Sequence, residues 1–210
     1  MEEFKILIFF ISTIILGIIL NKVAIKYSLL LNYTGSYHQA FTKNKLVPLT
    51  GGILLLLLLL LNFSINKYFY VFLILFFLLG VFGDYNFLKS AKIRFYLQFL
   101  LLLFLVDICN LSISEIRFVL FDSFLQNKIF NIFFTILCLM ILINGTNFID
   151  GCNTLVIGYF IVVSIILFKL NLLDIVLVGK NMSYYLFSIF FAIYVLNFFQ
   201  KLFLGDSGVY

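Results

Sequence analysis

The chain has 210 residues, 64% of them hydrophobic and only 11% charged. A water-soluble domain is nearer half apolar and a quarter charged, so this chain lacks the charge to cover a water-facing surface. Its net charge of +5 lies mostly between apolar runs, which points to membrane topology and away from nucleic acid.

A spanning helix needs about 20 mainly apolar residues. Seven runs approach that length: 4–24, 48–63, 68–82, 93–108, 129–143, 155–170 and 183–199. Together they predict an all-α, polytopic integral membrane protein of about seven transmembrane helices, forming a single transmembrane domain over 1–210. No internal repeat is visible. Glu2 and Glu3 precede a first run too long for a signal sequence, with no small-residue cleavage site after it, so no cleaved leader is expected. Pro48 is placed to open the second helix. Gly51 and Gly52 allow close backbone approach there. The segment 111–125 partly alternates and reads as a short hairpin or an interfacial helix. Cys109, Cys138 and Cys152 show no disulfide or metal-ligand spacing and read as buried small side chains.

The connections 21–47, 83–92, 144–154 and 201–210 fall on one side of such a bundle. They carry the longer loop and the Lys89, Lys92, Arg94 cluster, so they are assigned to the cytoplasm, with the N-terminus outside. Of the nine acids, three belong to this set: Asp84, Asp150 and Asp206. Each follows a glycine or an amide-rich turn at the end of a run, so one membrane face receives three carboxylates.

Chemistry concentrates in four places. Asn144, Asn147, Asp150 and Asn153 recur every third residue, which puts them on one helix face or, if the glycines break the helix, along a turn. Polar groups at a membrane boundary mark function unless they only tie helices together. Gly205-Asp206-Ser207-Gly208 lets a carboxylate reach a cation beside closely approaching backbone, although such a run also makes plain turns. Gly83-Asp84 precedes three cations and reads as a carboxylate beside an anion site or as a surface charge cluster. The run 38–52 holds Lys43 and Lys45, placed to meet phosphate, and His38, the only histidine and therefore no basis for a His-built metal site.

In this order, Lys…Pro-x-x-Gly-Gly, Gly-Asp, Asn-x-x-Asn-x-x-Asp-Gly and Gly-Asp-Ser-Gly, the motifs resemble the polyprenyl-phosphate N-acetylhexosamine-1-phosphate transferases, glycosyltransferase family 4. The resemblance implies an enzyme of the bacterial inner membrane. It would transfer an N-acetylated sugar 1-phosphate from a UDP-sugar to polyprenyl (undecaprenyl) phosphate, releasing UMP, for cell-wall or lipopolysaccharide synthesis. It implies Mg2+, with Mn2+ left open as a substitute, and no nucleic-acid partner. Carried over residue by residue, Asp206 and Asp150 would hold the metal, and Asp84 and Asp150 would be catalytic. Lys43, Lys45, Asn144, Asn147 and Asn153 would bind substrate. The family's usual Asp-Asp pair reads Gly83-Asp84 here, and Asn153 stands where some branches have a further Asp. The chain is expected to correspond to the N-terminal two-thirds of such a transferase, leaving open a homodimer or a missing C-terminal complement that completes it. A cation or solute transporter is the reading from another class, and it would place these acids near the membrane midplane.

Overall fold

A computed structural model describes residues 2–32, 47–63, 66–150, 154–172 and 182–210. It is mostly helical. In chain order the elements are α1 (Glu2–Lys26), β1 (Leu31–Asn32), β2 (Val47–Pro48), α2 (Gly51–Asn62), α3 (Lys67–Asp84), α4 (Ala91–Ile108), α5 (Val119–Leu125), α6 (Lys128–Ile149), α7 (Leu155–Lys169), α8 (Met182–Phe198) and the single turn α9 (Asp206–Val209).

Each of the seven apolar runs coincides with a helix. Three are long and apolar enough to cross a membrane: Glu3–Lys26, Lys67–Asp84 and Lys128–Ile149. The others are shorter or more charged. The twelve residues of α2 reach about 18 Å, well short of a hydrocarbon core of about 30 Å. Large apolar side chains stand on the outer faces of these helices, Ile15, Leu61, Phe104 and Ile141 among them. In water such a surface would drive association, whereas in hydrocarbon it is the ordinary exterior.

Three local details differ from the sequence reading. Pro48 does not open α2. It sits in β2 opposite Leu31 in a two-residue antiparallel ladder, and the helix starts at Gly51. Proline has no N–H to give a ladder, but its carbonyl accepts from Phe203 N–H at 3.0 Å, so residues 202–204 run on beside β2. Second, α6 continues six residues past 143, through Gly145, to Ile149. Its polar residues turn back onto the helix: Asn144 Nδ2 donates to Met140 O at 2.8 Å and Thr146 Oγ1 to Leu142 O at 2.8 Å. Third, of the two forms open to 111–125 the structure has the helix, but only over the seven residues of α5, with an irregular stretch leading into it.

Two apolar cores result. One centres on α8, where Ile189 and Ile193 are fully buried against α1, α2, α7 and residues 202–209. The other joins α3, α4 and α6 through Phe72, Phe76, Leu102, Val106, Ile136 and Met140. The turn α9 lies between them, with Val209 in the first core and Tyr210 against the second. Cys109 and Cys138 are free thiols within this packing.

Candidate active site

The site is organised by the turn at Gly205. Gly205 has φ +70° and ψ 173°, a conformation essentially reserved for glycine. A Cβ there would also stand 2.8 Å from Asp84 Oδ2. The turn therefore lies directly on the end of α3. Gly83 makes the same approach possible from the other side, since its Cβ would meet Asp206 Oδ2 at 2.6 Å.

Asp84, the last residue of α3, caps the turn. Its Oδ1 accepts from Asp206 N–H at 2.8 Å and its Oδ2 from Ser207 N–H at 3.1 Å. Two backbone amides aimed at one carboxylate form a charge-assisted cap.

Asp206 is the hub. Its Oδ1 accepts from Asn147 Nδ2 at 2.7 Å, and its Oδ2 forms an ion pair with Arg94 Nη1 and accepts from Tyr210 Oη at 3.2 Å. Burial, followed by the charge of Asp206, pushes the Tyr210 phenol up, so it remains a donor.

Asp150 follows α6 directly, and its carboxyl lies close enough to the Gly205 backbone amide, Asp206 and Asp84 to feel all three electrostatically. Burial raises its carboxyl from the usual 3.8 to about 7, with further contributions from the charges of Asp206 and Asp84. These interactions show the three aspartates converging from positions 84, 150 and 206 on one turn at one end of the bundle.

The other sequence-derived residues sort differently. Asn147 joins the hub. Asn144, one turn earlier on α6, bonds to its own helix and not to a carboxylate, and donates to Gln98 Oε1 at 3.3 Å. Lys43, Lys45 and Asn153 lie outside the described residues, as do His38 and Cys152. Sequence reasoning listed Arg94 only as one of three nearby cations. The structure separates it from the others: Lys89 and Lys92 are exposed, while Arg94 is half-buried against Asp206. Gln98 lies one helical turn further along α4 and is buried, with its Nε2 unpaired among the described residues. The spacing of Arg94 and Gln98 by four, facing Asn144 and Asn147 spaced by three, is the signal that could have found them.

Among the described residues, no three Asp, Glu, His or Cys side chains stand close enough together to cage a metal ion. Magnesium rarely needs such a cage. It takes hard oxygen ligands, retains several waters, and usually binds one or two carboxylates with substrate phosphates. Asp150 and Asp206 offer carboxylate oxygens of that kind; burial first, and then the charges of Asp206 and Asp84, raise the Asp150 carboxyl, and a cation would offset that charge. The residues fit the ion in chemistry, with Asp206 shared between it and Arg94.

A family model, glycosyl transferase family 4, matches residues 66–210, more than two-thirds of the chain. No curated protein and no solved structure matches it. The matched stretch begins just before α3 and runs to the last residue, so it contains every group that meets at Asp206, and on this evidence the chain belongs to glycosyl transferase family 4.

Proposed function

We propose that the chain transfers an N-acetylated sugar 1-phosphate from a UDP-sugar to a polyprenyl phosphate at the cytoplasmic face of a membrane. A phosphate oxygen of the lipid attacks the sugar-linked phosphorus, the bond to the UMP phosphate breaks, and the lipid leaves carrying a diphospho-sugar. Both reactants are anions, so charge neutralisation and positioning must supply most of the rate enhancement. Magnesium, when bound, would neutralise the diphosphate and ease departure of UMP. Asp150 and Asp206 would hold it. Asn147 fixes the orientation of the Asp206 carboxylate, and Arg94 offers a cation beside it. Asp84 holds the turn that presents Asp206 and lies next to the attacking phosphate. Lys43 and Lys45, which precede β2 in sequence, would contact phosphate.

The observation that carries this reading is the convergence of Asp84, Asp150 and Asp206 on the Gly205 turn, with Arg94 and Asn147 bonded to Asp206. A transporter reading fits less well, because these groups gather where α3 and α6 end and not midway along them.

A second reading is favoured by one feature. An apolar groove of about 380 Å3 runs beside α9, lined by Leu55 and Leu59 of α2, Phe72 and Phe76 of α3, Phe190 of α8, and Tyr210. Such a groove suits an apolar helix supplied by a partner, and the chain would then turn over only in that complex.

Membranes containing the full chain test both. The proposal expects magnesium-dependent exchange of labelled UMP into a UDP-N-acetyl sugar, abolished by Asp206→Asn because an amide is a poor magnesium ligand. Full exchange in that variant would refute the role of Asp206. Exchange that appears only when a second membrane protein is co-expressed would favour the partner reading.

A further inference from the structure

At the opposite end of the bundle lies a second cavity, of about 280 Å3, between the far end of α4, the start of α6 and the segment joining them. We propose that it binds the headgroup of a primary-amine zwitterionic phospholipid, a phosphoethanolamine. The inference rests on the membrane character of the chain and is independent of the transfer reaction.

Position comes first. Arg94 lies in the first turn of α4, against Asp206, and α4 runs 18 residues from Ala91 to Ile108. That is about 27 Å, close to the thickness of a hydrocarbon core. With the carboxylates at one membrane surface, the cavity stands at the headgroup level of the other.

The cavity wall is built. Asn131 of α6 is buried and spends its amide on the connecting segment: Nδ2 donates to Ile113 O at 2.9 Å and to Leu125 O at 2.8 Å, and Oδ1 accepts from Ile113 N–H at 3.1 Å. Asp122 Oδ1 accepts from Ile116 N–H at 2.8 Å. Val106 and Leu125, both buried, supply an apolar floor.

The side chains facing this space are uncommitted. Asp107, Asn110, Ser112, Gln126 and Lys128 all line it, and none makes a side-chain hydrogen bond or ion pair with another described residue. The charges are one of each sign, which suits a ligand carrying both. Lys128 and the neutral donors match a phosphodiester, and Asp107 matches an ammonium. A primary ammonium donates three hydrogen bonds, which a carboxylate and amide oxygens can accept. A trimethylammonium donates none and is recognised by aromatic faces, and among the described residues no aromatic side chain lines this cavity. An anionic headgroup without an amine would leave Asp107 facing like charge.

The test is lipid retention by the full chain, purified in mild detergent and offered phosphatidylethanolamine, phosphatidylcholine and phosphatidylglycerol with identical acyl chains, with bound lipid counted by native mass spectrometry. Phosphatidylethanolamine should be retained over phosphatidylcholine by about tenfold, the worth of one charge-assisted contact. Asp107→Asn should remove that preference, Asp107→Glu should keep it, and Lys128→Gln should lower retention of both zwitterionic lipids together. Equal retention of the three lipids, strongest retention of phosphatidylglycerol, or an unchanged preference in Asp107→Asn would overturn the proposal. Because the substituted side chains are exposed, an unchanged melting midpoint serves as the folding control.

Discussion

At the carboxylate end, Asp206 accepts from Arg94, Asn147 and Tyr210, Asp84 accepts from two backbone amides, and Asp150 stands within electrostatic reach of both aspartates. At the other end, Asp107, Asn110, Ser112, Gln126 and Lys128 surround a cavity, and their side chains bond to no other described residue. One sequence has thus produced a tied polar site and a loose one on the same helices, since α4 and α6 contribute to both. The difference follows from what each end could do. Developing charge is best stabilised by groups fixed beforehand, which need no reorganisation at the moment of reaction. A headgroup that exchanges with bulk lipid needs donors and acceptors that water or ligand can share.

Substitutions should therefore be costly at the tied end, beginning with Gly205→Ala. The new Cβ would meet a backbone conformation reserved for glycine and an Asp84 oxygen at 2.8 Å. Strain of this kind is worth about 3 kcal/mol at the upper end, or roughly 6–12 °C in melting midpoint for a chain of this size. Any exchange activity should disappear with it. A variant that melts within a degree or two of the parent would show that the turn is not the organising element.

Asp84→Asn comes next. The amide retains one acceptor oxygen but presents an NH2 to a backbone N–H, so one of the two cap bonds is lost. Removing a hydrogen bond to a charged group costs about 1.5–3 kcal/mol. Thermal unfolding in detergent should record the loss, and Asp84→Glu should recover little of it, because the longer side chain cannot fit above Gly205. Full stability in Asp84→Asn would argue that the cap is dispensable and that Asp84 serves substrate alone.

The pH dependence of metal-free protein is a smaller and more specific probe. Asp150 has its carboxyl at about 7 when folded, against 3.8 when exposed. A raised acid stabilises the fold in full below its unfolded value, and that contribution fades as pH rises through the folded one. With chelator present, the melting midpoint should fall between about pH 4 and pH 7; Asp150→Asn should make this slope shallower and leave the share of Asp84, whose carboxyl burial raises to about 6. Magnesium should protect increasingly as pH rises through about 7, because the proton must leave before the carboxylate can ligate. Magnesium protection that is level across this range would remove Asp150 from the metal site.

How much of the comparison was legible beforehand depends on which atoms make the bonds. That Asp84, Asp150 and Asp206 share a face follows from counting helices between them, so it can be read from apolar runs alone. That Asp84 caps the Asp206 turn could not, because its partners are backbone amides 122 and 123 residues away. The choice of Arg94 over Lys89 and Lys92 depends on the register of α4, whose N-cap Ser90 makes no side-chain capping bond and so gives a weak start signal. The residues 144–149 were assigned to a connection because Gly145 and the amides suggest a turn. They are helical instead, with Asn144 and Thr146 satisfying their side chains on carbonyls of the same helix. The looser end was the less legible one, since the shape of 111–127 is set by Asn131 reaching backbone atoms at both 113 and 125.

The smallest expected effect sharpens the comparison most. Ser112→Ala and Gln126→Ala remove side-chain polar groups from the opposite cavity that bond to no described residue, so their stability should stay within about 0.5 kcal/mol of parent. Asn131→Ala, one wall away, should cost far more, because it leaves backbone groups at 113 and 125 without partners. The pair of measurements separates two meanings of a polar cavity. If the lining holds the fold together, all three variants lose stability. If the lining is held open for a ligand, only Asn131→Ala does, and the parent gains a stabilisation from added phosphatidylethanolamine that Ser112→Ala and Gln126→Ala partly forfeit. A shared loss across all three would mean the two ends are built alike, and the contrast between a tied site and a loose one would not survive it.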